Sequence, residues 1–248
     1  MEQLEHKSFL FGILNQVLGG PVASLLTAIG FHVDPAHPVI PDHVIMAFFF
    51  AALLTAGAAW FRSRIRVEEP GRRQLALEAL VSGLLGMLAE NVGPKGRQFL
   101  GLVGTLGLFI LVCNLAGLIP GLSSPTTNLN VTVGCALVSF LYYNYQGIRA
   151  HGLGSYLKHF LGPVLPLAVI MLPIEIISHI SRVLSLSIRL FGNIFGEELV
   201  ILVLASLIPF LVPLPMMAFA VFGSLLQAFV FIMLTMIYLG GAVAMEEH

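Results

Sequence analysis

Residues 167–208 decide the fold, and they read LAVIMLPIEIISHISRVLSLSIRLFGNIFGEELVILVLASLI. The stretch is as apolar as a membrane-spanning helix. Ionisable side chains nevertheless recur along it, at Glu175, His179, Arg182, Arg189, Glu197 and Glu198. One Arg at the bilayer centre costs about 2.5–3.5 kcal/mol even on lenient insertion scales, so such groups are rare unless they have a task. The stretch therefore predicts a membrane helix that carries function as well as structure.

The length of this stretch is also unusual. Residues 174–208 contain no proline, and as one helix they would be about 52 Å long at ~1.5 Å per residue. The hydrocarbon core of a bilayer is only about 30 Å thick. The helix is therefore either tilted far beyond the usual ~20°, or broken near Gly192 or Gly196. Of these two arrangements, we expect the strong tilt.

Most of the polar side chains share one helix face. At about 100° per residue, they fall within roughly 80° of one another. The members of this face are Glu175, His179, Arg182, Arg189, Asn193 and Glu197. Glu198 points away from it. Glu175 and His179 are four residues apart and could form a structural pair, but Arg189 has no acid within one turn. We expect its counter-charge on another helix or another protein.

The composition fits a membrane protein. Hydrophobic residues make up 57% of the chain and charged residues only 10%, against about 25% charged in ordinary soluble domains. This excludes a disordered chain, a basic nucleic-acid binder and almost any free soluble enzyme. Four further stretches approach the ~20 apolar residues that a span needs: 44–61, 99–119, 128–146 and 216–242. At their ends, Trp60 and the trio Tyr142, Tyr143 and Tyr145 predict aromatic belts.

Residues 74–92 differ from the spans, because apolar residues recur at helical spacing while Gln74, Glu78, Ser82 and Glu90 lie elsewhere on the wheel. This pattern indicates an interfacial amphipathic helix. The predicted fold is an all-α membrane protein with about five membrane-embedded helices plus this interfacial helix, the last two helices being long and strongly tilted.

Basic residues predict the orientation. They cluster between the first two spans and follow the third, whereas the loops at 120–127 and 209–215 carry no charge. By the positive-inside rule the N-terminus lies outside, and the Arg-rich stretch and the C-terminus lie in the cytoplasm. We expect residues 1–43 to form an extracytoplasmic segment and residues 44–248 a single transmembrane domain.

No metal or cofactor is expected. A His-rich loop precedes the first span, with His32, Asp34, His37, Asp42 and His43. Because no Cys accompanies them and no known ligand spacing is present, we interpret it as a solvated loop. Cys113 and Cys135 lie in apolar runs and are expected to be small core residues.

Specific motifs resemble one family. SLSIRLFGNIFGEEL (185–199) resembles the signature of the a subunit of F-type ATP synthases, in its bacterial and plastid-type form. Supporting matches are NLAGLIPG (114–121), PTTNLNVT (125–132) and QAFVFIMLTMIYL (227–239). The resemblance covers about residues 40–248. It implies a stator subunit in a bacterial plasma membrane, beside a ring of c subunits and a b-type peripheral stalk, with ATP chemistry on other subunits.

The resemblance also implies roles for single residues. Arg189 would face the essential carboxylate of each passing c subunit, and Asn193, Glu198 and Gln227 match positions linked to proton access. The sequence departs from the pattern at Ala220, where some members carry a His thought to pair with the acid matching Glu198. Any pairing must then use other groups, and Glu175, His179 and Glu197 are candidates.

The physics of the residues agrees with this mechanism. A fixed guanidinium favours the ionised form of a nearby carboxylate, whereas a carboxylate facing lipid is favoured as the neutral acid. Two offset aqueous half-channels would then load and unload the ring. Their candidate lining is Glu175, His179, Asn193, Glu197, Glu198, Ser224 and Gln227. Motif spacing favours Glu198 as the proton-handling acid, whereas the helical wheel favours Glu197. Gln227 could equally serve only to form a hydrogen bond between helices.

Two other function classes fit the sequence less well. A self-contained proton-coupled secondary transporter would explain the charges in apolar segments, but transporters usually show two similar halves, and no internal repeat is visible. A membrane hydrolase would need a nucleophile with a base, or a metal. The pair Glu175 and His179 offers neither.

Overall fold

The computed structural model of the chain describes Gly20, Thr27 and residues 40–66, 71–119, 121–156, 168–208 and 211–243. These residues are mostly α-helical, and no strand occurs among them. Their long helices are α1 (Asp42–Arg62), α2 (Arg72–Val92), α3 (Leu100–Ala116), α4 (Leu129–His151), α5 (Ala168–Leu207) and α6 (Pro213–Val243). A 3₁₀ turn, Pro94–Phe99, leads into α3. The predicted all-α fold is confirmed.

Among the described residues, five helices are long and apolar enough to cross a membrane: α1, α2, the stretch Pro94–Ala116, α5 and α6. The set differs from the predicted one in two places. Helix α4 forms where a span was expected, but it is not among the five, because its sequence mixes apolar residues with Asn144, Gln146 and other polar side chains. Helix α2 is among them, and its interfacial position therefore stays a prediction.

Helix α5 is continuous over 40 residues. It passes Gly192 and Gly196 without interruption, so the alternative of a break there is wrong. It begins five residues before Pro173 and includes it near the helix start, where the missing N–H removes one hydrogen bond. A helix of this length measures about 60 Å at ~1.5 Å per residue, which favours the tilted arrangement in a bilayer.

The chain divides into two compact units. The first unit comprises Met1–Arg62, Phe109–Val131 and Phe191–Leu225, and the second comprises Ser63–Leu108, Thr132–Leu190 and Leu226–His248. Within the first, Met46 and Phe50 of α1 pack against Cys113 and Ala116. Both cysteines are buried and neither is in a disulfide, as expected of small core residues.

The core of the second unit is built from α2, the 3₁₀ turn, α3, α4 and α6. It contains Leu88, Val92, Phe99, Val103, Tyr143, Ile232, Met236, Leu239 and Ala242. Helices α2 and α6 approach closely at Gly240, where an added Cβ would collide with the main-chain oxygen of Asn91. Glycine at this position therefore permits backbone contact between the two helices.

The described residues cover little of the apolar surface of helix α5. Ile177, Ile180, Leu184 and Ile188 are all more than half exposed. Because water is a poor environment for such a surface, it must meet lipid or another subunit.

Candidate ion-translocation site

The predicted site residues divide between the two units. Glu175, His179, Arg182, Arg189 and Gln227 lie in the second unit, and Asn193, Glu197, Glu198 and Ser224 lie in the first. All except Ser224 and Gln227 are carried by α5, and those two are carried by α6.

His179 is the centre of a buried polar cluster in the second unit. Its Nε2 lies 3.4 Å from Glu175 Oε1 on the preceding turn of α5. Its Nδ1 lies 3.0 Å from the hydroxyl oxygen of Tyr143 on α4. The Tyr143 and His179 rings stack with 6.0 Å between centroids and 23° between planes. The predicted pairing of Glu175 with His179 is therefore present, and it is extended by a tyrosine.

Tyr143 corrects one prediction. It was expected in an aromatic belt with its neighbours, but its side chain is 1% exposed, against 57% for Tyr145. The signal was available in the sequence. Thr132, Ser139 and Tyr143 recur at helical spacing on one face of α4, and all three are buried. Ser139 also donates a hydrogen bond to Thr235 Oγ1 of α6, at 3.0 Å.

Arg182 lies one turn after His179 and stacks on an aromatic ring. Its guanidinium carbon is 5.1 Å from the centroid of the Tyr238 ring, a cation–π geometry. Tyr238 in turn packs against Tyr143, with 6.0 Å between ring centroids. Tyr238 is partly buried and supports Arg182.

Arg189 is exposed on α5. Its side chain donates a long hydrogen bond, 3.4 Å, to Ser185 Oγ. Within the described ranges no carboxylate lies in ion-pair distance of it. Its neighbours Leu184 and Ile188 are exposed and apolar. A permanent positive charge thus stands on an apolar surface that the described chain does not neutralise.

Glu197 and Glu198 have different surroundings in the first unit. The Glu197 carboxylate packs against Gly223 of α6, where an added Cβ would collide with Oε1. Ala220, one turn earlier on α6, is fully buried. The Glu198 carboxylate instead approaches the end of α3: a Cβ on Gly117 would stand 2.8 Å from Glu198 Oε1 and 2.9 Å from Ser124 Cβ. Each carboxylate therefore sits against a glycine.

A buried hydroxyl network supports the Glu198 side of this arrangement. Ser124 donates to the Cys113 carbonyl at 2.9 Å, its hydroxyl lies 2.7 Å from that of Thr126, and Thr126 donates to Asn114 Oδ1 at 2.7 Å. The motifs 114–121 and 125–132 thus meet beside Glu198. Sequence reasoning did not single out Gly117 or Ser124.

The remaining predicted residues occupy contrasting positions. Asn193 is exposed one turn after Arg189 on α5. Ser224 and Gln227 are buried on α6, at 1% and 4% exposure. Burial of an amide and a hydroxyl in an apolar helix requires polar partners.

No group of three or more His, Cys, Asp or Glu residues that could hold a metal occurs in the part of the chain that the structure describes. In the predicted His-rich loop, Asp42 accepts a hydrogen bond from Ser123 Oγ at 2.8 Å. His32, Asp34 and His37 lie outside the described residues.

Comparison with known proteins places these features in one family. The family model described as ATP synthase A chain matches residues 44–240. ATP synthase subunit a 3 of Pelobacter propionicus is 48% identical over 207 residues, which are 84% of this chain and 89% of the relative. ATP synthase subunit a of Geotalea daltonii is 51% identical over 179 residues, 72% of this chain and 77% of the relative.

A third relative, ATP synthase subunit a of Campylobacter jejuni, is 43% identical over 211 residues, which cover 83% of this chain and 93% of that protein. The matched region contains every predicted site residue and the glycines that receive the two carboxylates. These relatives favour the rotary-synthase interpretation over a secondary transporter. The chain belongs to the ATP synthase A chain family.

Proposed function

We propose that this chain translocates protons as the membrane stator subunit of a bacterial ATP synthase, and that Arg189 acts on the carboxylates of a rotating c-subunit ring. The observation that carries the proposal is the position of Arg189. It is a permanent charge, exposed on an apolar helix face, with no carboxylate in ion-pair distance among the described residues. Such a charge in a membrane requires a partner, and the described residues do not supply one.

The ring carboxylate is the partner that fits this charge. The guanidinium favours its ionised form when a ring subunit passes Arg189, so the subunit releases its proton there. The carboxylate must take up a proton before it re-enters lipid, since a bare charge in hydrocarbon is costly. Arg189 also separates the two access paths, because a guanidinium stays protonated and cannot relay a proton.

Polar side chains in each unit could line two proton paths. Glu175 and His179 form one partly buried group in the second unit. Glu197 and Glu198 form another in the first unit, and Ser224, Gln227 and Asn193 add further polar groups. We assign these residues to the proton paths. Glu198, which packs beside the hydroxyl network, is our choice over Glu197 for the proton-handling acid on its path.

The proposed stator role also implies contacts with other subunits and an orientation in the membrane. The chain would contact the c ring through the exposed face of α5 and a b-type stalk elsewhere, with ATP chemistry on other subunits. Its N-terminal segment, residues 1–43, would lie outside the plasma membrane and its C-terminus in the cytoplasm, with residues 44–248 as the transmembrane domain.

The proposal is tested by ATP-driven proton pumping into inverted membrane vesicles. Arg189→Ala should assemble but not pump. Arg189→Lys should also fail, because an ammonium lacks the planar fork and loses its proton more readily when desolvated. Arg149→Ala, which removes an exposed charge at the end of α4, is the control and should pump normally. Normal pumping by Arg189→Ala would refute the proposed role.

A further inference from the structure

Among the described residues, the contact between Tyr143 and His179 is a buried polar contact that the proposed function does not use. The Tyr143 hydroxyl, on α4, meets His179 Nδ1 at 3.0 Å, while the opposite ring nitrogen of His179 faces Glu175. Tyr143 is among the largest fully buried side chains of the described residues. A phenylalanine would fill nearly the same space, so packing alone does not explain the hydroxyl group of Tyr143.

The chemistry of the two partners suggests that explanation. A neutral imidazole has one donor and one acceptor nitrogen, whereas an imidazolium has two donors. If Nε2 donates to the Glu175 carboxylate in the neutral form, Nδ1 accepts from the Tyr143 hydroxyl. After proton uptake, Nδ1 becomes a donor, and the same phenolic oxygen can accept. A phenol is therefore a partner for Nδ1 in both protonation states.

Packing holds this partner in place from several sides. The Phe140 ring contacts the His179 ring edge-on, with 5.9 Å between centroids, and contacts the Tyr143 ring at 5.4 Å. Tyr238 packs on Tyr143 and carries the Arg182 guanidinium on its own ring. The rotamers of both Tyr143 and His179 are thereby restricted by neighbours on three helices.

We infer that Tyr143 is a positioning residue that keeps His179 aligned on Glu175 while the imidazole gains and loses a proton. The inference rests on the proposed function, because it gives Glu175 and His179 a place in a proton path. It adds a residue that neither the family resemblance nor the sequence pattern assigned. Tyr143 itself stays a neutral phenol throughout and neither gains nor loses a proton overall.

Tyr143→Phe tests the inference, since it keeps the stacked ring and removes only the hydroxyl. Tyr145→Phe is the matched control: it lies on the same helix, two residues away, and is largely exposed. The measurements are the amount of assembled complex in the membrane and ATP-driven proton pumping as a function of pH. The groups that can titrate or carry charge around His179 are Glu175 and Arg182 on α5, Tyr143 on α4 and Tyr238 on α6; Tyr156 also interacts with Glu175 and Arg182.

We expect Tyr143→Phe to assemble normally and to pump roughly threefold more slowly, because one hydrogen bond in a membrane has only modest strength. The pH dependence of its pumping should also be shifted. Tyr145→Phe should match the natural chain in all three respects. Unchanged pumping by Tyr143→Phe would overturn the inference. So would a loss that only follows the amount of assembled complex with the pH profile unmoved, because that is the result of a packing defect.

His179→Ala separates this inference from the proposed function. If His179→Ala pumps normally, the proton path through His179 is wrong, and the positioning role falls with it. If His179→Ala fails while Tyr143→Phe behaves as the natural chain, only the positioning role is refuted.

Discussion

Replacing Gly117 by alanine probes the surroundings of Glu198 with a single methyl group. The added Cβ would stand 2.8 Å from Glu198 Oε1 and 2.9 Å from Ser124 Cβ. Ordinary contact begins at 3.4 Å, so the carboxylate must retreat by about 0.6 Å and the serine by about 0.5 Å. Ser124 cannot move freely, because its hydroxyl is bonded to the Cys113 carbonyl and lies beside Thr126.

Two effects follow from this displacement. Overpacking of this kind costs about 1–3 kcal/mol, which lowers the stability of the first unit. Misplacing a reacting group by ~1 Å can cost on the order of 100-fold in rate, so a shift of about 0.6 Å in a proton-handling carboxylate should slow proton pumping roughly tenfold.

Inverted vesicles provide the assay, with pumping measured per assembled complex. Gly104→Ala, also in α3, is the control because an added Cβ there has open space, and it should pump normally. Full pumping by Gly117→Ala would refute the reasoning that proton pumping requires the Glu198 carboxylate to stay in its present position against Gly117. A drop in assembly alone, with normal pumping per complex, would show that the glycine serves packing only.

Two further predictions concern helix packing. Gly240→Ala places a Cβ against the main-chain oxygen of Asn91, and we expect about 1–3 kcal/mol of destabilisation, read as earlier thermal loss of the detergent-solubilised complex. Gly241→Ala, which has open space, should melt as the natural chain does; equal melting of the two variants would contradict the close approach. Ser139→Ala removes the 3.0 Å bond to Thr235 and should cost about 0.6 kcal/mol in the same assay, whereas a loss of several kcal/mol would mean that the bond belongs to a larger network.

The sequence was informative about helices and charges. Apolar runs located the long helices, and the absence of proline after Pro173 was sufficient to expect one long helix, which is present as α5. The lack of an acid near Arg189 along the helix also held in three dimensions within the described residues. These features depend on spacing within one segment, where helical periodicity can be read directly.

The contacts of the side chains were harder to predict. Tyr143 and His179 are 36 residues apart in the chain, and only helix packing brings them together. Helix packing also brings Glu198 beside Gly117, which are far apart in the chain. At Gly117 it is the absence of a side chain that makes room for the carboxylate. Helix α4 is present where a span was expected, but polar side chains make it less apolar than the five helices that are apolar enough to cross a membrane among the described residues.

The most direct test of the central claim asks what Arg189 faces. A photoreactive amino acid at Ile188, which is exposed next to Arg189, should cross-link in the intact complex to a small ring subunit that bears a membrane carboxylate. The same probe at Leu53 of α1, which is similarly exposed, should not. We expect this contrast, with the adduct at Ile188 adjacent to the ring carboxylate. Adducts to lipid alone at Ile188 would contradict it, because Arg189 would then have no carboxylate partner.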